Sequence, residues 1–273
     1  MYKEMLIRSF IILLFISFAS FSLAKEKPPK VFKVGVNELD HYPLFDFNRN
    51  EDKGLAWTIL EGFAKKNNYE FEYIVMSSVK LQNAMESGQV DFVFPDNPLW
   101  SIYRYARDPN IFSLPVVNAV SATFVTLENR DIELEQVSTV AIPYGYSAVT
   151  WLAPLSDYEI DTLTTSSLKK SIQSLYRGTS TAADIEYNIA QHLIEQSTNP
   201  VTLVVNPNLP NVPIGYHLST IKHILIVERF SHYLINNAEL IDLLRQKYGV
   251  KEYEEVFGID GSQAKKRWLP KND

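Results

Sequence analysis

The residues best suited to recognising a small solute lie directly after one short apolar run. They combine an acid, an amide, an indole and two guanidinium groups, and they are Asp96, Asn97, Trp100, Arg104 and Arg107. A guanidinium group can bind a carboxylate through two parallel hydrogen bonds. This stretch therefore predicts a ligand-binding edge, although for either arginine taken alone a solvated charge on a helix is the commoner role.

Two further stretches offer ligand contacts, because loops at the carboxyl ends of parallel strands form the ligand crevice of open α/β sheets. The connection from 37 to 53 carries Tyr42 and Phe45, whose rings can stack on a ligand or can equally cap the local core. Tyr144 and Ser147 stand around a glycine between a strand pattern and a helix pattern. Backbone N–H groups at such a helix start suit an anion.

The residue types that catalysis or metal binding would need are scattered. The five histidines are His41, His192, His217, His223 and His232. No Ser-His-Asp order is visible, and the six-residue step from His217 to His223 matches neither helix ligands nor alternate strand positions. A lone histidine is more often on the surface or in the core than catalytic. The residues therefore argue against an enzyme, and no metal and no cofactor are expected.

The elements that must position these residues form an α/β pattern from 54 to 94. Apolar residues from 55 to 63 recur on one helical face. From 69 to 75 three aromatic residues and a valine alternate with two glutamates and Ile74, as in a strand, and only Ile74 breaks the polar side. A second helix pattern at 81–88 leads to a nearly apolar run at 90–94, typical of a strand buried on both faces. Helix, strand, helix, strand with short connections is the repeating unit of a parallel sheet.

A second module of the same kind runs from Thr139 to Ile185, which indicates two α/β lobes of one type. Before it, residues 116–125 are apolar and rich in β-branched side chains, which predicts an extended segment. After it, residues 214–218 are another extended run. From Ile224 a single helix pattern continues as far as Gly249.

The first 24 residues have the pattern of a secretory signal peptide. Lys3 and Arg8 precede an apolar run at 10–18, and small residues then predict cleavage after Ala24. An N-terminal membrane anchor is the alternative, but the apolar run is short for a span of about 20 residues. We therefore expect an exported protein that is free in a bacterial periplasm.

The cysteine content and the net charge limit the membrane anchors and the partners that the chain is expected to have. The chain has no cysteine, so neither a lipoprotein anchor nor a disulfide is expected. Its formal net charge is −6, and it becomes −7 when Lys3, Glu4 and Arg8 leave with the leader. A modestly acidic chain without a basic block argues against nucleic acid as a partner.

Several segments match one set of family motifs in order along the chain. VGVNELDHYPLFDF resembles an opening strand and aromatic loop, and GLAWTILEGFAKKNNYEFEYI resembles the following helix and strand. LQNAMESGQVDFVF resembles the next helix and strand, and IFSLP resembles the segment that follows them. SLKKSIQSLYRGTSTAADIE resembles, more loosely, part of a second lobe. Over nearly the whole mature chain the sequence resembles extracytoplasmic solute-binding proteins of family 3, the amino-acid type.

The resemblance implies an α/β, two-lobed periplasmic-binding-protein-like fold (type II), with mainly parallel sheets and a hinge. Lobe 1 would comprise residues 25–120 and 218–273, and lobe 2 would comprise 121–217. The chain would cross between the lobes near 117–126 and 213–220. The ligand would lie in the cleft, and the lobes would close on it by a hinge motion.

The resemblance also implies residue roles. In the family an arginine clamps the α-carboxylate of the ligand, and here Arg104 and Arg107 both compete for that role. The family's amine-binding aspartate aligns with Glu186, and Asp184 is a rival. Acids at Asp96 and Glu186 would favour a cationic or amine group.

The function expected from the resemblance is that of a periplasmic protein that captures a small polar solute, an amino acid or a related amine. Its partners would be that solute and a membrane ABC permease or a sensor, and the protein would be a monomer. The alternative is a diverged member that no longer transports and acts as a signalling or interaction subunit. An enzyme on the same fold is less favoured, since fold does not fix function.

Overall fold

Nine strands of the described chain join into one mixed sheet. The structure is a computed structural model, and it describes residues 28–103 and 110–270. The strands are β1 (Lys30–Asn37), β2 (Tyr69–Met76), β3 (Phe92–Asp96), β4 (Ile111–Thr126), β5 (Thr139–Pro143), β6 (Asp161–Thr165), β7 (Ala182–Glu186), β8 (Leu203–Val205) and β9 (Val212–Thr220). Their order across the sheet is β2-β1-β3-β9-β4-β7-β5-β6, and β8 pairs with β4.

The helices between these strands are short to medium in length. They are α1 (Leu55–Lys66), α2 (Ser78–Glu86), α3 (Leu152–Asp157), α4 (Leu168–Tyr176), α5 (Tyr187–Glu195), α6 (Ile224–Asn236), α7 (Ala238–Lys247), α8 (Tyr253–Phe257) and α9 (Ser262–Trp268). Short 3₁₀ helices lie at Pro98–Tyr103, Leu127–Asn129, Leu134–Gln136 and Val149–Trp151. Within 28–103 and 110–270, no helix combines the length and the apolar character needed to cross a membrane.

Helix α1 shows how the sequence pattern becomes packing. Its apolar residues recur at helical spacing, so Leu55, Ile59 and Phe63 are all buried against the sheet. The Phe63 ring lies 4.8 Å from the ring of Phe230 in α6, which fixes the C-terminal helices to the same core. Lys65 and Lys66 in the last turn stabilise the negative end of the helix dipole.

The sheet repeats one strand order in its two halves. In the first half the order is β2-β1-β3-β9-β4, and in the second half it is β6-β5-β7-β4-β8. The pairs β1–β3, β5–β6 and β5–β7 are parallel, as expected for α/β units. The central pairs β3–β9, β4–β9, β4–β7 and β4–β8 are antiparallel. The predicted fold class is therefore confirmed, with antiparallel pairs in the middle of the sheet.

Strands β4 and β9 join the two halves. They run side by side from the Ile111–Thr220 pair to the Ser121–Val212 pair, and the far end of β4 continues into the second half, where it pairs with β7. The predicted crossing segments lie inside these two strands. From Val31 onward the chain clusters as a single compact unit, so the division into lobes after residues 120 and 217 stays a prediction.

One predicted element is wrong in detail. The pattern from Ile224 to Gly249 predicts one helix, but the chain forms α6 and α7 with a break at Asn237. At the break the Asn237 side chain donates from Nδ2 to the carbonyl of Tyr233 at 2.6 Å, and the Asn237 backbone N–H donates to the same carbonyl at 3.1 Å. The predicted signal peptide lies outside the described residues.

Candidate ligand-binding site

A cavity of about 80 Å³ lies between the two halves of the sheet, where the carboxyl ends of β1, β3 and β5 face the crossing strands. This central cavity is at the edge where open α/β sheets bind their ligands. Its first-half wall consists of Asn37, Leu39, His41, Ser78, Leu81, Val93, Pro95 and Trp100. Its opposite wall consists of Ala119, Ser121, Gly145, Tyr146, Ser147, Ile214 and Tyr216.

A tight turn after β1 positions His41. The backbone N–H of His41 donates to the carbonyl of Phe45 at 2.9 Å, and the N–H of Phe45 donates back at 3.0 Å. The first helical N–H of α1, on Leu55, donates to the carbonyl of Pro43 at 3.0 Å, so the turn also satisfies an otherwise unpaired helix donor. Gly54 permits this approach, because it has a φ of 94° and a Cβ there would lie 2.8 Å from the Pro43 oxygen.

The His41 side chain is buried and unpaired. Only 4% of the residue is exposed, and neither ring nitrogen has a hydrogen-bond partner among the described residues. Its ring lies 4.8 Å from the ring of Phe45 and 6.3 Å from that of Tyr146 across the cavity. Burial lowers the pKa of His41 to about 3, so the imidazole is neutral at physiological pH.

The two walls approach each other closely at Ser78 and Gly145. Gly145 takes a φ of 78°, which turns the chain after β5 and brings it against the start of α2. A Cβ on Gly145 would lie 3.6 Å from Ser78 Oγ, and Ser78 Oγ itself accepts a hydrogen bond from Asn37 Nδ2 at 2.8 Å. Deeper in, Tyr146 and Tyr216 present their hydroxyls, and burial raises the pKa of both. Groups from both halves thus enclose one polar space.

Two buried acids stand behind this wall. Ser121 Oγ donates to Asp184 Oδ1 at 2.9 Å. Because Ser121 lines the cavity and Asp184 does not, Asp184 lies behind Ser121. Glu186 accepts from the N–H of Val120 at 3.0 Å and, as the N-cap of α5, from the N–H of Ile189 at 2.9 Å. Burial raises the pKa of Asp184 and the pKa of Glu186 to about 7, against the opposing effect of these donors.

The described wall of the central cavity carries no Lys, Arg, Asp or Glu. It offers serine and tyrosine hydroxyls, one amide, one neutral imidazole and the faces of aromatic rings. In the part of the chain that the structure describes, no group of three or more His, Asp or Glu is arranged to hold a metal ion. The described wall can therefore recognise a solute by neutral hydrogen bonds and by stacking.

The structure brings two of the predicted site residues to the cavity and leaves three aromatic or loop positions elsewhere. Trp100 and Ser147 line the cavity. Phe45 is fully buried, with its ring 5.4 Å from that of Phe94, so it belongs to the local core. Tyr42 donates from its hydroxyl to Asp52 at 3.2 Å outside the cavity. Tyr144 is 72% exposed.

The predicted polar residues are buried in structural roles. Asp96 is fully buried and accepts from Ser219 Oγ at 2.7 Å, and Asn97 donates to the carbonyl of Gly215 at 2.6 Å. Glu186 is turned away from the cavity because backbone donors hold both of its oxygens. Arg104 and Arg107 lie outside the described residues.

Sequence reasoning missed most of the polar wall, namely Asn37, His41, Ser78, Ser121, Tyr146 and Tyr216. Two signals were present. Asn37 and His41 lie in the long connection directly after the first strand, and Tyr146 stands between the glycine and the serine already singled out. Ser121 and Tyr216 lie in the crossing strands, where nothing local distinguishes a cavity residue from a core residue.

Comparison with known proteins places the fold. No family model and no curated protein matches the sequence. The ligand-binding core of GluR0 in complex with L-glutamate is similar in structure, with a TM-score of 0.65, 15% identity, and coverage of 81% of this chain and 99% of that one. An arginine transport-system periplasmic binding protein from Legionella pneumophila has a TM-score of 0.63, 12% identity, and coverage of 80% and 99%.

A third similar structure broadens the range of activities found on this fold. It is an ancestral amino-acid-binding protein described as a precursor of cyclohexadienyl dehydratase, with a TM-score of 0.61, 17% identity, and coverage of 80% of this chain and 95% of that one. At such identities the likeness concerns the fold alone. The resemblance predicted from the sequence is confirmed at that level, and the chain has the fold of the type II periplasmic binding proteins.

Proposed function

We propose that this protein captures a small polar solute in the central cavity, with amino acids and related amines as the first class to test. The observation that carries the proposal is the His41 imidazole, which is buried in the cavity wall without a partner among the described residues. An unsatisfied buried polar group costs about 1–3 kcal/mol. Such a group is expected where a ligand or an ordered water completes the site.

Capture would use the two-half construction of the sheet. Groups on both walls can contact one solute, and the antiparallel strands β4 and β9 supply two crossings on which the halves can hinge. The cavity of about 80 Å³ is small, since an engineered cavity of roughly 150 Å³ holds benzene. A solute the size of an amino acid therefore needs the halves to part for entry, and closure then removes water from its polar groups.

The remaining parts of the proposal concern compartment and partners. We expect the leader to be cleaved after Ala24, which leaves a monomeric protein in the periplasm that hands its solute to an ABC permease or presents it to a sensor. N-terminal sequencing of the exported protein tests the cleavage, and a mature chain that still carries the leader would contradict it. Light scattering of the purified protein tests the monomeric state.

The direct test of solute capture uses the mature chain after unfolding and refolding, which strips any bound molecule. Melting is followed with L-arginine, L-glutamate, L-glutamine and putrescine, because a ligand of the native state must raise the melting temperature. Trp100→Ala should reduce the shift, since Trp100 lines the cavity 5.8 Å from the Tyr216 ring. Tyr144→Ala is the matched control, because its ring is 72% exposed away from the wall.

Two negative results together would overturn solute capture. They are the absence of any melting shift with this panel and the absence of a bound small molecule when the protein is examined by native mass spectrometry as purified. In that case a signalling or interaction subunit becomes the better account. The small cavity and the lack of charged groups on its described wall are the observations that favour this second candidate.

A further inference from the structure

We propose that His41 sets ligand specificity, and that the solute presents to it an uncharged hydrogen-bonding group, with an amide as the best match. The inference rests on solute capture in the central cavity and narrows the class of solute. It assigns a selecting role to a residue whose sequence context alone indicates a lone surface or core histidine. Three features of the site support it.

The first feature is the chemistry of the unpaired ring. A neutral imidazole has one N–H donor and one bare nitrogen acceptor. Neither nitrogen of His41 is used by the described protein, although the residue is 4% exposed. A carboxamide carries an acceptor oxygen and a donor NH₂ side by side, so it can satisfy either nitrogen of the ring in either tautomer. A hydroxyl can do the same through a single atom.

The second feature is the packing around the ring and the fixed backbone beneath it. Reciprocal backbone hydrogen bonds between His41 and Phe45 fix the turn, and α1 holds the same turn through Leu55. The rings of Phe45 and Tyr146 flank the imidazole at 4.8 and 6.3 Å. The donor and acceptor of His41 are therefore held in place, which lowers the ordering cost of binding.

The third feature is the absence of a counter-charge on the described wall. A charged group placed against His41 would leave water and meet hydroxyls, an amide and aromatic rings. Of the two acids behind the wall, Glu186 is held by the N–H groups of Val120 and Ile189, and Asp184 accepts from Ser121 through one oxygen while its other oxygen has no partner among the described residues. Neither acid lines the cavity. Burial also keeps His41 itself neutral by lowering its pKa. A neutral ligand group avoids the cost of an unpaired buried charge.

The experiment compares amide and carboxylate partners of nearly equal shape. The probes are L-asparagine with L-aspartate, L-glutamine with L-glutamate, and nicotinamide with nicotinate, titrated by calorimetry into the stripped mature chain near neutral pH. We expect the amide of at least one pair to bind about tenfold or more tightly than its carboxylate partner.

Two variants of His41 distinguish a role in ligand selection from a role in packing of the folded protein. His41→Phe keeps a flat ring but removes both nitrogens, so the amide should lose about tenfold or more in affinity. The melting temperature of the unliganded variant should stay the same or rise, because a buried unsatisfied group has been removed. His41→Gln retains one donor and one acceptor, and it should keep the preference for the amide. A residue with a purely structural role would move the melting temperature and leave the amide-to-carboxylate ratio unchanged.

The outcomes distinguish the inference from the proposed function. Tighter binding of the carboxylates, or equal amide binding by His41→Phe, overturns the role of His41 and leaves solute capture intact. If no probe binds, native mass spectrometry of the protein as purified decides. A co-purified molecule whose buried end is charged overturns the inference, a neutral one supports it, and no bound molecule removes both proposals.

Discussion

Replacing Glu186 by glutamine tests the physical account of the acids behind the cavity wall. Glu186 is fully buried and accepts hydrogen bonds from Val120 N at 3.0 Å, Asn188 Nδ2 at 2.8 Å and Ile189 N at 2.9 Å. Burial raises its pKa from 4.5 to about 7, although these donors favour the charged form. The folded protein therefore holds a proton on Glu186 over a pH range in which the unfolded chain has lost it.

The sign and size of the effect follow from that difference. Because the pKa of an acid is raised on folding, the free energy of unfolding is highest below pH 4.5 and falls as the pH rises to about 7. The fall is about 3 kcal/mol, since each pKa unit corresponds to about 1.4 kcal/mol. Glutamine does not titrate, so Glu186→Gln should lose this slope. At low pH the variant should be less stable by about 1 kcal/mol, because its NH₂ must face one of the three donors.

The assay is urea unfolding of the wild type and of Glu186→Gln across the window from pH 4.5 to just above 7. As the pH rises across this window, the free energy of unfolding of the wild type should fall by about 3 kcal/mol relative to that of Glu186→Gln. Ala190→Gly is the control, because it is buried in the same helix and does not titrate, and it should cost about 1 kcal/mol at every pH. If the difference in the free energy of unfolding between the wild type and Glu186→Gln is as independent of pH as the difference for Ala190→Gly, a raised pKa at Glu186 is refuted.

Three further predictions concern stability. Burial lowers the pKa of His41 from 6.5 to about 3, so the wild type should lose a few kcal/mol as the pH falls through this range; urea titrations of His41→Phe should show a clearly smaller loss. Phe63→Ala should lower the free energy of unfolding by about 3–5 kcal/mol, because its buried ring packs 4.8 Å from that of Phe230; a change too small to resolve by urea unfolding would contradict this packing. Gly54→Ala should lower the melting temperature more than Gly145→Ala, since both residues have positive φ but only at Gly54 would a Cβ lie 2.8 Å from a backbone oxygen; the reverse order would contradict that reason.

Much of the fold could be predicted because burial follows local periodicity. The alternation from 69 to 75 corresponds to β2, where Phe71 is buried and the neighbouring glutamates are exposed. The break at Asn237 could not be predicted, because the apolar pattern continues through it, while in the structure the Asn237 side chain and backbone N–H both bond to the carbonyl of Tyr233. The antiparallel pairing of β4 with β9 joins segments far apart in the chain, and no local pattern encodes their register.

The residues predicted for the site lie at the edge of the sheet that borders the central cavity, but several of them do not face it. Successive side chains on a strand point to opposite faces. In β3, Val93 and Pro95 line the cavity, so Asp96 must point to the other side, where it is buried and bonded to Ser219. A position at the end of a strand indicates nearness to the ligand edge. It does not say which face of the sheet a side chain occupies until the register with the neighbouring strands is known. In the turn after β1 the chain has no regular side-chain period, so no pattern distinguishes His41 from Tyr42.

The contacts around the cavity also determine where the halves can part. Asn188, at the start of α5, donates from Nδ2 to the carbonyl of Lys251 at 3.0 Å and accepts from the N–H of Lys251 at 2.7 Å, while Glu186 bonds both Asn188 and the N–H of Val120 in β4. This buried network makes the middle of β4, the start of α5 and the segment before α8 move together. At the mouth of the cavity, by contrast, Gly145 only approaches Ser78. In the proposed opening, the walls would therefore separate where Gly145 meets Ser78, and the bend would lie in β4 and β9. A solute that bridges the two walls would add its contacts where the protein alone has few, so its binding energy would act directly on closure.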